Sequence, residues 1–250
     1  MLTLSQQLLW LAWLLLLLPS FLLDGEWRTP LRLSSSIVLV ILAILTVTRS
    51  SLHRSVGSLI AAGMLFGCLG DFAMASLIPL FSNRVIGGML FFGIGHLCYI
   101  AGVEWYRRQV GFKRQSSWWI AVISWQTVGL LGWYFVVHSS EKHLVLHYPA
   151  LAYGALLAAT AGVTLALAVV HRTALPIAAG AALFLLSDMV FAWQIFHGSN
   201  ALTNVLVWAT YGPGQMLIVM GFARILLSPL RKSSAMASLQ SVEQTDARTK

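Results

Sequence analysis

Charge is what this 250-residue chain has least of: 10% of its residues are Asp, Glu, Lys or Arg, against about 25% in soluble domains. With 58% hydrophobic residues and a mean hydropathy of +0.79, a water-soluble globular enzyme is excluded. There are two cysteines, Cys68 and Cys98, each within an apolar run, which excludes a disulfide framework and makes inert buried thiols the default. There is no G-x-S-x-G, no H-E-x-x-H and no phosphate-binding glycine loop, so serine-hydrolase, zincin and nucleotide-binding readings have no motif to rest on. No Lys or Arg precedes Arg28 and no small-x-small site follows the first apolar stretch, Leu8 to Leu18; that stretch reads as a retained helix and not a signal peptide.

What is present is a succession of apolar runs. Crossing about 30 Å of hydrocarbon takes roughly 20 residues, so the length allows seven or eight spans and no separate soluble domain. The runs predict an all-α membrane protein of about eight transmembrane helices, at 4–23, 34–48, 56–78, 85–104, 117–137, 147–170, 174–197 and 203–227, the second being short. Residues 1–227 then form one transmembrane domain with halves of about 1–110 and 111–227. The tail 228–250, rich in Ser, Gln and Thr, reads as disordered.

The net charge of +8 does not point to nucleic acid, because the basic residues sit in short segments between apolar runs. In the eight-span plan one end collects Arg49, Arg54, Arg107, Arg108, Lys113, Arg114, Arg172, Arg224, Arg231, Lys232, Arg248 and Lys250. The other end has Arg28, Arg32, Arg84 and Lys142. The positive-inside rule makes this a multi-pass protein of the cell membrane with both termini in the cytoplasm.

Ala61-Ala62-Gly63 followed by Asp71 recurs as Ala178-Ala179-Gly180 followed by Asp188, an offset of 117. At that offset Ala75 meets Ala192, Ile78 meets Ile195, Ser82-Asn83 meets Ser199-Asn200, and Gly95 meets Gly212. A 4+4 internal duplication is the natural account. With an even number of helices per half, the halves run parallel, related by an axis along the membrane normal.

Of the eight acidic residues, only Asp71 and Asp188 fall inside apolar helices. An acid at mid-membrane costs about 2.5–3.5 kcal/mol on insertion scales, so it faces a bundle interior or a wet cavity and marks function. A polar lock between helices is the bland account; two acids at matching depth weigh against it. Counting residues along the helices puts His96, Tyr99, Tyr153, Tyr211 and Gln215 in the same layer. Each alone has a duller role as a helix-to-helix hydrogen bonder. Two carboxyls sharing a low-dielectric layer do not readily both ionise, which provides an acid and a base at neutral pH.

Gly70-Asp71, Phe91-Phe92-x3-His96-x2-Tyr99, Leu183-Phe184-x2-Ser187-Asp188 and Tyr211-x3-Gln215 together resemble the YhhN-like lysoplasmalogenase family of eight-helix membrane proteins. Its characterised members hydrolyse the vinyl ether bond of lysoplasmalogens to a fatty aldehyde and a glycerophospho-base. The resemblance is strongest in helices 3–4 and 7–8. It implies Asp71 and Asp188 as the catalytic pair, with His96, Tyr99 and Gln215 lining the site, a lysophospholipid substrate, and no metal or redox cofactor. There is one departure: the family often enters its second helix through Lys-Pro, whereas here Ser34-Ser35-Ser36 follows Arg32, which puts the headgroup preference in question.

Two other readings are open. His138, His143 and His147 with Glu141 lie near one loop, and His143 and His147 have metal-ligand spacing if helical; a metal-dependent lipid hydrolase of the alkaline-ceramidase type would use such a cluster. A proton-coupled carrier also combines parallel repeats with intramembrane acids, Gly212-Pro213-Gly214 being the one candidate helix break.

Overall fold

The structure is a computed structural model that describes residues 4–22, 25–50 and 53–227. The described residues are helices joined by short connections, with no strand among them. We label them α1 (Leu4–Leu17, continued past Leu18 by the single turn Pro19–Leu22), α2 (Arg28–Arg49), α3 (Arg54–Met74), α4 (Arg84–Gln109), α5 (Ser116–Trp133, extended by a π-helical turn Tyr134–His138), α6 (His147–Val170), α7 (Leu175–His197) and α8 (Ala201–Leu227). Seven of these, α2 to α8, are long and apolar enough to cross a membrane; α1 is a shorter apolar helix. The tail expected to be disordered lies outside the described residues.

Short connections make successive helices antiparallel, and their packing repeats. In the first half α1 packs on α2, α2 on α3 and α3 on α4; in the second α5 packs on α6, α6 on α7 and α7 on α8. The junction between halves repeats as well: α4 meets α6 as α8 meets α2. This is the pattern of a pseudo-two-fold bundle.

Glycine sets the tightest crossings. A Cβ added at Gly63 would lie 3.0 Å from the Gly95 carbonyl oxygen, and one at Gly95 would lie 2.8 Å from that of Gly63. Gly180 and Gly214 approach in the same way, at 2.6 and 3.0 Å, so small residues let backbones meet across α3–α4 and α7–α8. The counterpart of Gly95 is therefore Gly214, an offset of 119, and not Gly212 as the uniform repeat predicts. At the helix starts the offset is still 117, for Asn83 accepts hydrogen bonds from the backbone amides of Val85 and Ile86, and Asn200 accepts one from that of Thr203. The difference arises between the helices: α7 runs on to His197 and turns within 198–200, whereas α3 stops at Met74 and the chain takes 75–83 to turn. Starting farther out, α8 descends two more residues, about 3 Å, to reach the equivalent crossing.

Two helix boundaries depart from the apolar runs. α2 begins six residues early, at Arg28, so Arg28 and Arg32 are helix residues and not loop. α3 ends at Met74 and not at 78, the chain leaving through Ser76 in the left-handed region (φ 60°), which brings Asp71 within a turn of its helix end. α5 is peripheral: 17% of its apolar window is buried, against 44–56% in the other spans, so most of its surface is left for lipid.

Candidate active site

Asp71 and Asp188 line one cavity of about 460 Å³, within the usual range for small-molecule sites. The cavity lies among α2 to α8 and reaches the end of the bundle where α2, α4 and α8 begin. Its wall is two-sided in chemistry. Met74, Met89, Phe92, Leu157, Leu185 and Met189, with Gly129 and Gly132 of α5 and Gly154 of α6, form an apolar part; Arg28, Thr29, Arg32, Arg84, Gln194 and Asn204 supply a polar part.

The two carboxyls are held by corresponding positions with different side chains. On α2, Ser36 donates to Asp71 Oδ2 at 2.5 Å; on α6, Tyr153 donates to Asp188 Oδ2. Both pairs are 35 residues apart, and Ser36 and Tyr153 are themselves separated by the repeat of 117. Symmetry breaks at the next donor. Tyr211 on α8 donates to Asp71 Oδ1 at 2.6 Å and accepts from the Gln215 amide at 2.5 Å; with the offset of 119 its counterpart on α4 is Phe92, which has no hydroxyl. Both oxygens of Asp71 are thus engaged, and the residue is buried. Among the described residues Asp188 has one donor and its Oδ1 has no partner, and it is less buried.

Of the residues expected in this layer, Tyr153 and Tyr211 line the cavity with the two aspartates. Gln215 lies behind, reaching Asp71 through Tyr211. His96 and Tyr99 are not in the wall: His96 Nδ1 is 2.9 Å from the Thr160 hydroxyl and its ring packs edge-on against Phe184, while the Tyr99 ring fills the space over Gly63 and its hydroxyl faces the Met64 sulfur at 3.8 Å. Counting along a helix fixes a level; it does not fix which side of the helix looks inward. His96 and Tyr99 share the level of the site and face the α3 and α6 contacts.

Arg32 lines the cavity and Ser36, buried behind its wall, holds Asp71; both were absent from the expected set. The repeat carried a signal for Ser36, because subtracting 117 from Tyr153 lands on it. Nothing in the sequence marked Arg32 beyond its place before the serines. Its guanidinium lies over the Trp208 ring, 4.2 Å from the centroid, and its Nε is buried with no hydrogen-bond partner among the described residues.

The histidine cluster does not assemble into a metal site among the described residues, although the His138 and His147 rings lie 6.4 Å apart. His143 is in the left-handed region (φ 51°), ahead of a 3-10 turn, so it and His147 are not stacked on one helix face. His138 stacks on Trp133 and His143 packs edge-on to Phe196. Among the described residues no three such side chains come together as metal ligands. Two tryptophans near helix ends have specific contacts: Trp118 is buried beneath Arg107 and Arg114, and Trp133 donates to the His147 carbonyl at 2.8 Å.

No curated protein and no solved structure matches the chain. The sequence profile of the YhhN family, by contrast, matches residues 29–222, from the first turn of α2 to the last part of α8 and so across both carboxyls, and the chain belongs to the YhhN family.

Proposed function

We propose that this protein is a membrane hydrolase that opens the vinyl ether bond of lysoplasmalogen-like lysophospholipids by acid–base catalysis between Asp188 and Asp71. One observation carries the reading: two carboxyls share an amphiphilic intramembrane cavity and differ in their hydrogen-bond complement. Asp71, accepting from Ser36 and Tyr211, has both oxygens held as hydrogen-bond acceptors and is assigned the role of the stabilising carboxylate. Asp188, with an unengaged oxygen, is the group able to hand a proton to a substrate and take one back.

The chemistry balances on these two groups and one water. Asp188 protonates the β-carbon of the C=C–O unit, leaving an oxocarbenium ion that the Asp71 carboxylate stabilises electrostatically. Water adds to the cationic carbon and returns a proton to Asp188. The hemiacetal then collapses: its hydroxyl proton passes to the ether oxygen, the C–O bond breaks, and a fatty aldehyde and a glycerol hydroxyl are released. The methionine and leucine part of the wall suits the alkenyl chain.

The positive-inside rule, applied to twelve basic residues at one end against four at the other, supports a cell-membrane protein with cytoplasmic termini and a cavity that reaches the opposite face. The test is aldehyde release from purified protein given an alkenyl lysophospholipid, with Asp71→Asn and Asp188→Asn beside the wild type and EDTA throughout. General acid–base groups are worth about 10²–10⁴-fold, and each variant is expected to lose at least that much while chelation changes nothing. Intact wild type that releases no aldehyde overturns the reading, and uptake into vesicles without turnover would make the protein a proton-coupled carrier. Loss of activity to EDTA would favour the metal-dependent hydrolase.

A further inference from the structure

The cavity has a charged end that the hydrolytic chemistry does not use. At the face with few basic residues the sequence has four, Arg28, Arg32, Arg84 and Lys142, and three of these line the cavity. A topology signal does not require such gathering, and like charges drawn into one low-dielectric opening repel. Arg32 is the most committed. It lies one helical turn before Ser36, which binds Asp71, so its α-carbon is about 5–6 Å further toward the opening than the carboxylate's partner. Its guanidinium is stacked on Trp208, its Nε has no partner, and no carboxylate pairs with it among the described residues. Arginine presents planar N–H groups matched to the oxygens of phosphate, and stacking on an aromatic ring fixes that plane.

We propose that Arg32, with Arg28 and Arg84 beside it, forms a subsite for the phosphate of an amphiphile whose ether or ester linkage lies at Asp71 and Asp188. The proposal rests on the hydrolytic reading for the position of the scissile bond and stands apart from it for the anion. The geometry suits a glycerophospholipid with one chain. Its glycerol carbons separate the phosphate from the sn-1 oxygen by a few bonds, comparable to the single turn of about 5.4 Å between Arg32 and Ser36. The stacked guanidinium, with its Nε unbonded among the described residues, is then an anion-binding group, which explains why a charge is retained where α2 passes Trp208.

The experiment measures binding of a saturated 1-O-alkyl lysophospholipid, which has no vinyl ether to cleave, to the full-length protein in nanodiscs. A 1-O-alkylglycerol without phosphate and inorganic phosphate serve as the other two probes. Arg32→Gln is expected to weaken lysophospholipid binding about tenfold to a hundredfold, the usual value of hydrogen bonds to a charged group, and to leave alkylglycerol binding unchanged. Arg32→Lys, which retains charge without the planar fork, should fall between. Arg108→Gln, at the other end, should change neither. Unchanged alkylglycerol binding also reports an intact fold; if Arg32→Gln does not fold, Arg32→Lys decides. Equal weakening toward both lipids, or none toward either, overturns the subsite. Inorganic phosphate that competes as strongly as the lysophospholipid would make it a free-anion site and overturn the lipid source. The two proposals fail separately. Arg32-dependent binding by a protein that cleaves no vinyl ether keeps the subsite and removes the activity. Cleavage of alkenylglycerol and alkenyl lysophospholipid at equal rates, in wild type and Arg32→Gln alike, does the reverse.

Discussion

At the scale of single residues, the division of labour between the carboxyls rests on hydroxyls. Tyr211→Phe removes the donor to Asp71 Oδ1 and strands the Gln215 amide that Tyr211 accepts. A hydrogen bond to a charged group is worth about 1.5–3 kcal/mol, so aldehyde release should fall roughly tenfold to a hundredfold with the fold intact. Turnover equal to wild type would show that Asp71 does not depend on this donor and sink its assignment as the stabilising carboxylate. The opposite outcome is expected for His96→Gln and Tyr99→Phe. Neither side chain lines the cavity, and glutamine is what the pseudo-equivalent position 215 already has. Turnover within a few-fold of wild type is expected for both, measured at matched folded protein; a hundredfold loss would return them to the site. Asp71, Asp188, Tyr153 and Tyr211 were legible in the sequence because a polar side chain inside an apolar run requires a reason. The same logic drew in His96 and Tyr99, which lie at helix contacts outside the cavity wall, and passed over Ser36, which is too small and common to stand out.

At the scale of helices, the repeat was readable at Ala61-Ala62-Gly63 and Ala178-Ala179-Gly180 because close backbone approach admits almost no other residues. The two-residue slip of α8 was not, since it depends on how far α7 runs before turning, which no local motif records. The start of α2 was hidden for a different reason. Hydropathy ends a span at its first charges, whereas Arg28 and Arg32 continue the helix because a cavity receives them. The crossings themselves predict a contrast in stability. Gly180→Ala sets a Cβ 2.6 Å from a carbonyl oxygen and 2.9 Å from the Ile218 amide nitrogen, backbone atoms that cannot swing away, and overpacking of this kind costs about 1–3 kcal/mol. A Cβ at Gly154 meets nothing within 4 Å, and Gly154→Ala is expected to be neutral. Thermal unfolding in one detergent compares them; equal midpoints for both variants and wild type would mean that the α7–α8 backbones are not in contact.

At the scale of the whole molecule, the arrangement of charge decides which leaflet supplies the site. Glu104 binds Arg107 and Arg114, each at 2.9 Å, at the end where most of the basic residues gather, while the cavity reaches the other end beside Arg28 and Arg84. If the arginine-rich end is cytoplasmic, a lysolipid enters from the non-cytoplasmic leaflet and the water consumed comes from that side. Single cysteines at Lys113 and Lys142, in a background with Cys68 and Cys98 replaced by alanine, test this in intact cells with a membrane-impermeant thiol reagent. The position in the α5–α6 connection, 142, should label at once, and 113, between α4 and α5, only after permeabilisation. The reverse pattern would invert the bundle and make the cytoplasmic leaflet the source of substrate. Labelling of both before permeabilisation would contradict the odd number of crossings between them, since α5 alone separates the two positions.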